Sequence, residues 1–257
     1  MTTSNWRAWL SMTEVYTTKG FCPICENHVT FTASDIWYRR SLQCPACPNG
    51  STPRERALML LLRREFPMWP SLAVHESSPI LARGASAALF RHCENYTTTR
   101  YFPNEIPGSM VKGHRNENLE AQTFDDAQFD LVVSLDVMEH VNEPAAAFRE
   151  IARTLRTGGA YIFTTPTYKD KLKTERRAKI EPDGTETHYS TPEYHGSAVE
   201  ARGALVTFHF GYDLPQLIYE WCGMHTRVER FWDPYHGIIG EFTEVYVCHR
   251  RDTSAGT

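Results

Sequence analysis

The sequence predicts an α/β protein: a doubly wound, mostly parallel sheet with an antiparallel C-terminal strand pair, preceded by a small cysteine-bearing ribbon. Three observations predict it. From residue 70 onward, apolar strand-like runs alternate with amphipathic helical stretches, the pattern of a parallel sheet covered on both faces. Two β-rich runs near Arg227–Trp232 and Phe242–His249, parted by Asp233-Pro234-Tyr235-His236-Gly237 and a few more residues, suggest an antiparallel closing pair. Near the start, four of the seven cysteines fall in two Cys-x-x-Cys pairs.

Composition agrees with a globular chain. Of 257 residues, 41% are hydrophobic and 23% charged, with a formal net charge of −4, which excludes disordered and fibrous classes. The longest apolar run, Ala57–Leu62, falls far short of the ~20 residues of a membrane span. Met1–Thr18 shows no cationic segment followed by an apolar stretch. No membrane partner and a cytoplasmic location are therefore expected. Residues 1–66 carry 8 basic and 5 acidic side chains, a basic head on an acidic body, but +3 is thin for a nucleic-acid face.

Three segments are expected: a ribbon over 1–50, a linking helix over 51–69, and the main domain over 70–257. Cys22-Pro23-Ile24-Cys25 and Cys44-Pro45-Ala46-Cys47 have the spacing of a four-thiolate zinc site, each turn presenting two thiolates to one cation. With Cys22, Cys25, Cys44 and Cys47 filling all four positions, the zinc would be structural. Iron in a rubredoxin-like knuckle competes with that reading, and two disulfides are a third, disfavoured by a reducing compartment. The His28–Tyr38 stretch, rich in Val, Thr, Phe, Ile, Trp and Tyr, predicts the ribbon's strands. A segment this short needs a metal to fold.

Along the rest, Thr52, Pro53 and Glu55 make a capped helix start running to about Phe66. Leu72–Glu76 reads as a strand. Ser78-Pro79 opens a helix from Ile80 to about Cys93. Strands follow near Tyr96–Tyr101, Met110–His114 and Phe129–Leu135. A helix from Glu143 to about Arg156 ends at Gly158-Gly159, before a strand Ala160–Thr164 and a helix Asp213–Cys222.

Phe129-Asp130-Leu131-Val132-Val133-Ser134 with Val137-Met138-Glu139-His140-Val141, then Glu150–Gly159 leading to Phe163-Thr164-Thr165-Pro166, resembles the class I S-adenosylmethionine-dependent methyltransferases of the broad type-11 group. The resemblance covers roughly residues 70–250. It implies a Rossmann-like methyltransferase fold and S-adenosyl-L-methionine as cofactor. It places Glu76 at the acidic end of the first strand, and Ser77 and Ser78 where the family has glycines, which requires ordinary backbone angles there. It sets Asn118 and Leu119 against adenine, and Asp136, Glu139 and His140 beside the methionine end. Where the family holds ribose with a carboxylate, this chain has Thr99 or Arg100.

An insertion over 167–212, far longer than a usual connection, follows a central strand and is expected to act as a lid. Its polar-aromatic stretch offers Glu193 and His195 as proton acceptors, with His140 a third catalytic candidate. A second metal on His188, Glu193 and His195 would lack any tight ligand spacing. The reading that follows is methyl transfer to a polar small-molecule or glycan-type acceptor. One alternative is an RNA methyltransferase gripping nucleic acid through Trp37, Tyr38, Arg39, Arg40, Arg54 and Arg56. Another is a non-catalytic protein that keeps the fold.

Overall fold

In the computed structural model, strands β1 (Thr17–Cys22) and β2 (Asn27–Thr32) form an antiparallel hairpin whose turn is the first Cys-x-x-Cys pair. The structure describes residues 16–196 and 201–251, so Met1–Val15 of the N-terminal segment and positions 197–200 of the insertion lie outside the described residues. The ribbon begins earlier than the His28–Tyr38 stretch, which holds only most of its second strand. Asp35 Oδ1 accepts the Trp37 amide and Asp35 O accepts the Ser41 hydroxyl, turning the chain into a short helix, α1 (Tyr38–Ser41), instead of more strand. Thr32 and Gln43 bridge, which brings the second cysteine pair back to the first.

Helix α2 (Pro53–Glu65) starts as its sequence predicts: the Thr52 amide donates to Glu55 at 2.6 Å, completing a capping box with Pro53 in the first turn. Its Leu58, Leu61 and Leu62 join one apolar cluster with Cys22 and Phe31 of the ribbon and Val74, Leu131, Val133, Ile162 and Val247 of the body. Ribbon and body therefore share a core.

The main sheet contains β3 (Ala73–Ser77), β4 (Asn95–Arg100), β5 (Met110–Val111), β6 (His114–Asn116), β7 (Phe129–Leu135) and β8 (Leu155–Thr164). The insertion contributes β9 (Glu175–Arg176), β10 (Ala178–Ile180), β11 (Glu186–His188), β12 (Tyr194–His195), β13 (Ala204–Leu205) and β14 (Phe208–His209), paired as β9–β14, β10–β11 and β12–β13. Two last strands, β15 (His225–Glu229) and β16 (Val245–His249), form the antiparallel closing pair. Helices α3 (Gly84–His92), α4 (Pro144–Thr154) and α5 (Leu214–Cys222) complete the chain. The order is β15-β16-β8-β7-β3-β4-β6-β5, parallel through β8-β7-β3-β4-β6 and antiparallel at both ends. This is the doubly wound, Rossmann-like arrangement. No helix among the described residues is long and apolar enough to cross a membrane.

Some boundaries differ from the sequence reading. The strand expected over Met110–His114 is two short strands reversing at Lys112 and Gly113, both with positive φ. Strand β8 starts at Leu155, so Gly158-Gly159 lies inside it, beside a register irregularity against β7. Helix α3 begins at Gly84, not Ile80, because Ser78 and Gly84 both take left-handed angles (φ 56° and 58°) and residues 79–83 form a turn.

Arg56 ties ribbon, helix and tail together. Fully buried, its guanidinium donates to the carbonyls of Ser51, Leu42 and Gly237 and sits 4.6 Å from the Phe31 ring centroid. Gly237 permits this at φ 64°, where an added Cβ would lie 2.8 Å from Phe31. Burial pulls the Arg56 pKa down to about 10, opposed by the nearby charges of Cys22 and Cys44. Replacing Arg56 with Met keeps the bulk but leaves three buried carbonyls without this donor. Urea unfolding of Arg56→Met should show a loss of about 3–5 kcal/mol, and a loss under 1 kcal/mol would contradict that role.

Candidate functional site

Strand order reverses between β3 and β7, and doubly wound sheets bind ligands outside the carboxyl ends of the strands at such a point. A cavity of about 550 Å³ opens there. Glu76 and Ser78 line it from the end of β3, Arg100 from the end of β4, and Leu135, Asp136 and His140 from beyond β7. His195 and Gly196 line it from the insertion, and Trp37, Arg39 and Arg54 from the N-terminal segment.

The cofactor-side residues divide. Glu76 is buried and accepts from the Ser86 hydroxyl (2.5 Å) and the Tyr96 hydroxyl (2.6 Å); burial pushes its pKa up to about 7. Ser77 is buried within β3. Ser78 takes the left-handed angle itself, its amide bonded to the Thr99 carbonyl, which corrects the expectation of ordinary backbone there. Arg100 donates to the Pro79 carbonyl at 2.9 Å and so reaches across the place where a ribose carboxylate was expected. Asn118 Oδ1 accepts the Glu120 amide, Leu119 is buried in the core beneath, and neither lines the cavity.

Asp136 is not a free partner for a cation. Its Oδ2 meets Arg39 at 2.5 Å and Arg54 at 2.9 Å, and its Oδ1 accepts the Thr164 hydroxyl at 2.8 Å. Burial raises its pKa, but the charges of Arg54 and Arg39 and the Thr164 bond outweigh burial and leave it lowered. The RNA alternative assigns both arginines to nucleic acid. Their pairing with a carboxylate 97 and 82 positions away left no local signal in the sequence. Arg39 and Arg54 thus point inward, and Arg56 is buried. Of the basic residues assigned to an RNA grip, Arg40 is exposed.

The three catalytic candidates converge. The lid is pinned to the turn after β7: Thr207 donates its amide and hydroxyl to the Glu139 carbonyl (2.8 and 2.9 Å), and Arg176 donates to the Asn142 carbonyl. At Gly203, with φ 94°, an added Cβ would lie 2.4 Å from the His195 carbonyl, so only glycine lets the chain pass there into β13. His195 Nε2 lies 3.2 Å from Glu193 Oε1, and Glu193 Oε2 lies 2.7 Å from His209 Nε2. His140 and His195 rings meet edge to face at 5.1 Å. Burial lowers the pKa of His140 and of His209 against the pull of their partners, leaving both neutral near pH 7. Burial alone would raise Glu193, but its bonds from His209 and His195 keep it low. Glu139 between them is fully buried, its pKa pushed up to about 8 by burial and by the Asp136 charge. His209, stacked 4.0 Å from Tyr168, is the member the sequence reading missed. No motif marked it.

In the ribbon, Cys22 Sγ and Cys47 Sγ are 3.7 Å apart, Cys25 Sγ and Cys44 Sγ 3.8 Å, and all four sulfurs lie within 4.8 Å of one another. The cysteines are free, which rules out the two disulfides. Sulfurs on a tetrahedral zinc at about 2.3 Å stand about 3.8 Å apart, so this donor set fits that ion. Arg56 beside them is a counter-charge for a four-thiolate centre.

The fold is the Rossmann-like arrangement that the motifs implied. Residues 83–163 match a family described as a methyltransferase domain. Over 98 residues, 35% of this chain and 40% of the relative, the sequence is 34% identical to a ubiquinone biosynthesis O-methyltransferase of Aeromonas salmonicida. The matched region thus spans well under half of that relative's length. Among solved structures the chain is similar to an S-adenosylmethionine-dependent methyltransferase of Mesorhizobium loti, with 15% identity, TM-score 0.48, and coverage of 76% of this chain and 98% of that one. It is also similar to the 1,6-didemethyltoxoflavin-N1-methyltransferase of Burkholderia thailandensis, with 13% identity, TM-score 0.47, and coverage of 78% and 79%.

Glu76 supplies a pH test. A carboxyl raised from 4.5 to about 7 favours the folded chain while protonated, so its contribution is full below about pH 4.5 and is lost as pH rises through about 7. Urea midpoints for Glu76→Gln should fall less between pH 5 and 7.5 than those of the wild type. Parallel curves would show that Glu76 ionises at its ordinary value.

Proposed function

We propose that this chain transfers a methyl group from S-adenosyl-L-methionine to a hydroxyl oxygen of a polar small-molecule or glycan-type acceptor. The observation that carries the reading is the meeting of His140, Glu193 and His195 over the cavity at the strand-order reversal. The family match over residues 83–163 supports methyl transfer, and the O-methyltransferase relative favours oxygen as the acceptor atom. A cavity of about 550 Å³ lies within the usual size range for small-ligand sites.

In this reading the acceptor oxygen attacks the methyl carbon in line with the sulfonium. The C–O bond forms as the C–S bond breaks, and the sulfonium becomes the neutral thioether of S-adenosylhomocysteine. The hydroxyl proton passes to His195 or Glu193. Glu193, hydrogen-bonded to His209, steadies the charge that His195 gains. Much of the rate comes from alignment, since the methyl group is already activated. Proton removal adds roughly 10²–10⁴-fold. The zinc in this scheme is structural, held by Cys22, Cys25, Cys44 and Cys47.

Calorimetry with S-adenosylhomocysteine tests the reading directly. The wild type should release or absorb heat and gain thermal stability as ligand is added. His195→Gln and Glu193→Gln should bind the nucleoside as the wild type does. With phenolic and glycan hydroxyl acceptors, both should form S-adenosylhomocysteine at least about 10²-fold more slowly. No heat and no thermal shift at millimolar nucleoside would favour the non-catalytic alternative.

A further inference from the structure

We propose that Glu139, His140 and His195 form a second metal site, a two-histidine, one-carboxylate cradle for a divalent cation of the Mn²⁺, Fe²⁺ or Zn²⁺ kind. This ligand set differs from the His188, Glu193 and His195 grouping weighed from the sequence; His188 instead stands beside Glu186, at 3.3 Å.

The argument starts from which nitrogen carries each proton. His140 Nδ1 is 2.8 Å from the Leu205 carbonyl, which can only accept, so Nδ1 bears the hydrogen and Nε2 is left as a lone pair. His195 Nε2 is 3.2 Å from Glu193 Oε1, a carboxylate oxygen held from its other side by His209, so the hydrogen sits on Nε2 and Nδ1 is the lone pair. Both of these nitrogens lie near the same atom. His140 Nε2 and His195 Nδ1 each lie 3.8 Å from Glu139 Oε1.

Glu139 Oε2 accepts the Thr165 hydroxyl at 3.0 Å, while Oε1 has no hydrogen-bond partner, on a side chain 2% exposed. With Glu139 ionised, three acceptors would therefore face one another with no donor among them. That arrangement repels itself unless a cation or an added proton lies at its centre.

The outer contacts are those a metal-binding histidine uses: one ring nitrogen fixed by a carbonyl or carboxylate, the other free for the ion. Ligand atoms on an ion at about 2.0–2.1 Å stand about 3.0–3.4 Å apart, so shifts of under an ångström from 3.8 Å would close the site. Two imidazoles with one carboxylate suit borderline divalent ions better than Ca²⁺ or an all-thiolate metal. Asp136 stays outside the set, since Arg39, Arg54 and Thr164 already occupy it. His140 and His195 line the cavity, so coordination positions opposite Glu139 open toward it. Under the proposed methyl transfer, and only under it, those positions would receive the acceptor oxygen, and its proton would pass to Glu193, because His195 has no free nitrogen once it holds the ion.

Manganese is the probe, because four thiolates holding zinc have little use for it. Mn²⁺ is titrated into the full, zinc-loaded chain, without any adenosyl compound, and the free aqueous ion is read by electron paramagnetic resonance. One equivalent should disappear from the free signal. Glu139→Gln and His195→Gln should each weaken binding at least tenfold, Glu193→Gln should weaken it less, and His188→Gln should leave it unchanged. If Glu139→Gln does not fold, His195→Gln on the part-exposed lid decides the question. A wild type that leaves millimolar Mn²⁺ free and takes up no second zinc in equilibrium dialysis overturns the proposal. So does binding that Glu139→Gln and His195→Gln leave undiminished. Because no adenosyl compound is present, a failure here is separate from a failure of the nucleoside calorimetry.

Discussion

Two guanidinium groups from the N-terminal segment close on one carboxylate at the end of a central strand, and most of the site follows from that grip. Asp136 is held at φ 53°, an angle that costs a non-glycine residue something to keep. Its amide bonds to the Thr164 carbonyl and its side chain to Thr164, Arg39 and Arg54. Exposed ion pairs contribute little, but these groups are only 14–20% exposed and their energy is less screened. The contact fixes where the ribbon sits and makes Trp37, Arg39 and Arg54 a wall of the cavity. A module that could have been an appendage becomes part of the site.

From that wall the arrangement of charge across the cavity can be followed. On the β3–β4 side stands Arg100, bonded to the loop after β3, and Glu76, which burial disposes toward neutrality. On the side of the insertion stand His140 and His209, whose pKa values burial lowers, and Glu193, kept low by its bonds from His209 and His195. Proton-accepting capacity is thus concentrated on the lid, and fixed positive charge on the ribbon side. Thr207, bonded to the carbonyls of Glu139 and Val141, holds the insertion in register with the turn after β7. The insertion is therefore docked by Thr207 and Arg176, which leaves Glu193 and His195 outside the docking contacts.

Much of this was legible in the residues. The capping box at Thr52, Pro53 and Glu55, the apolar strand Phe129–Leu135 and the four-cysteine spacing are local signals, and each has the form the sequence suggests. The lid was legible as an overlong connection after β8, and His195 and Glu193 as its pointed part. What was not legible depends on distant partners. Arg39 and Arg54 look like solvent-facing charges until Asp136 is placed beside them. His209 looks like an ordinary strand residue until Glu193 reaches it. Ser78-Pro79 reads as a helix start because its chemistry suits one, but the left-handed angles at Ser78 and Gly84 delay α3 by four residues. Asn118 aligned with an adenine reader, yet its oxygen is engaged by the amide two residues on.

The central claim is that the thiolate-bearing ribbon and the edge after β7 form one cooperative unit through Asp136. Hydrogen exchange followed by mass spectrometry, on the chain supplied with zinc and again with a chelator added, measures that coupling most directly. The account predicts that amides of residues 136–141 lose protection together with those of residues 17–50. Loss confined to residues 17–50, with the edge after β7 as protected as before, would contradict it.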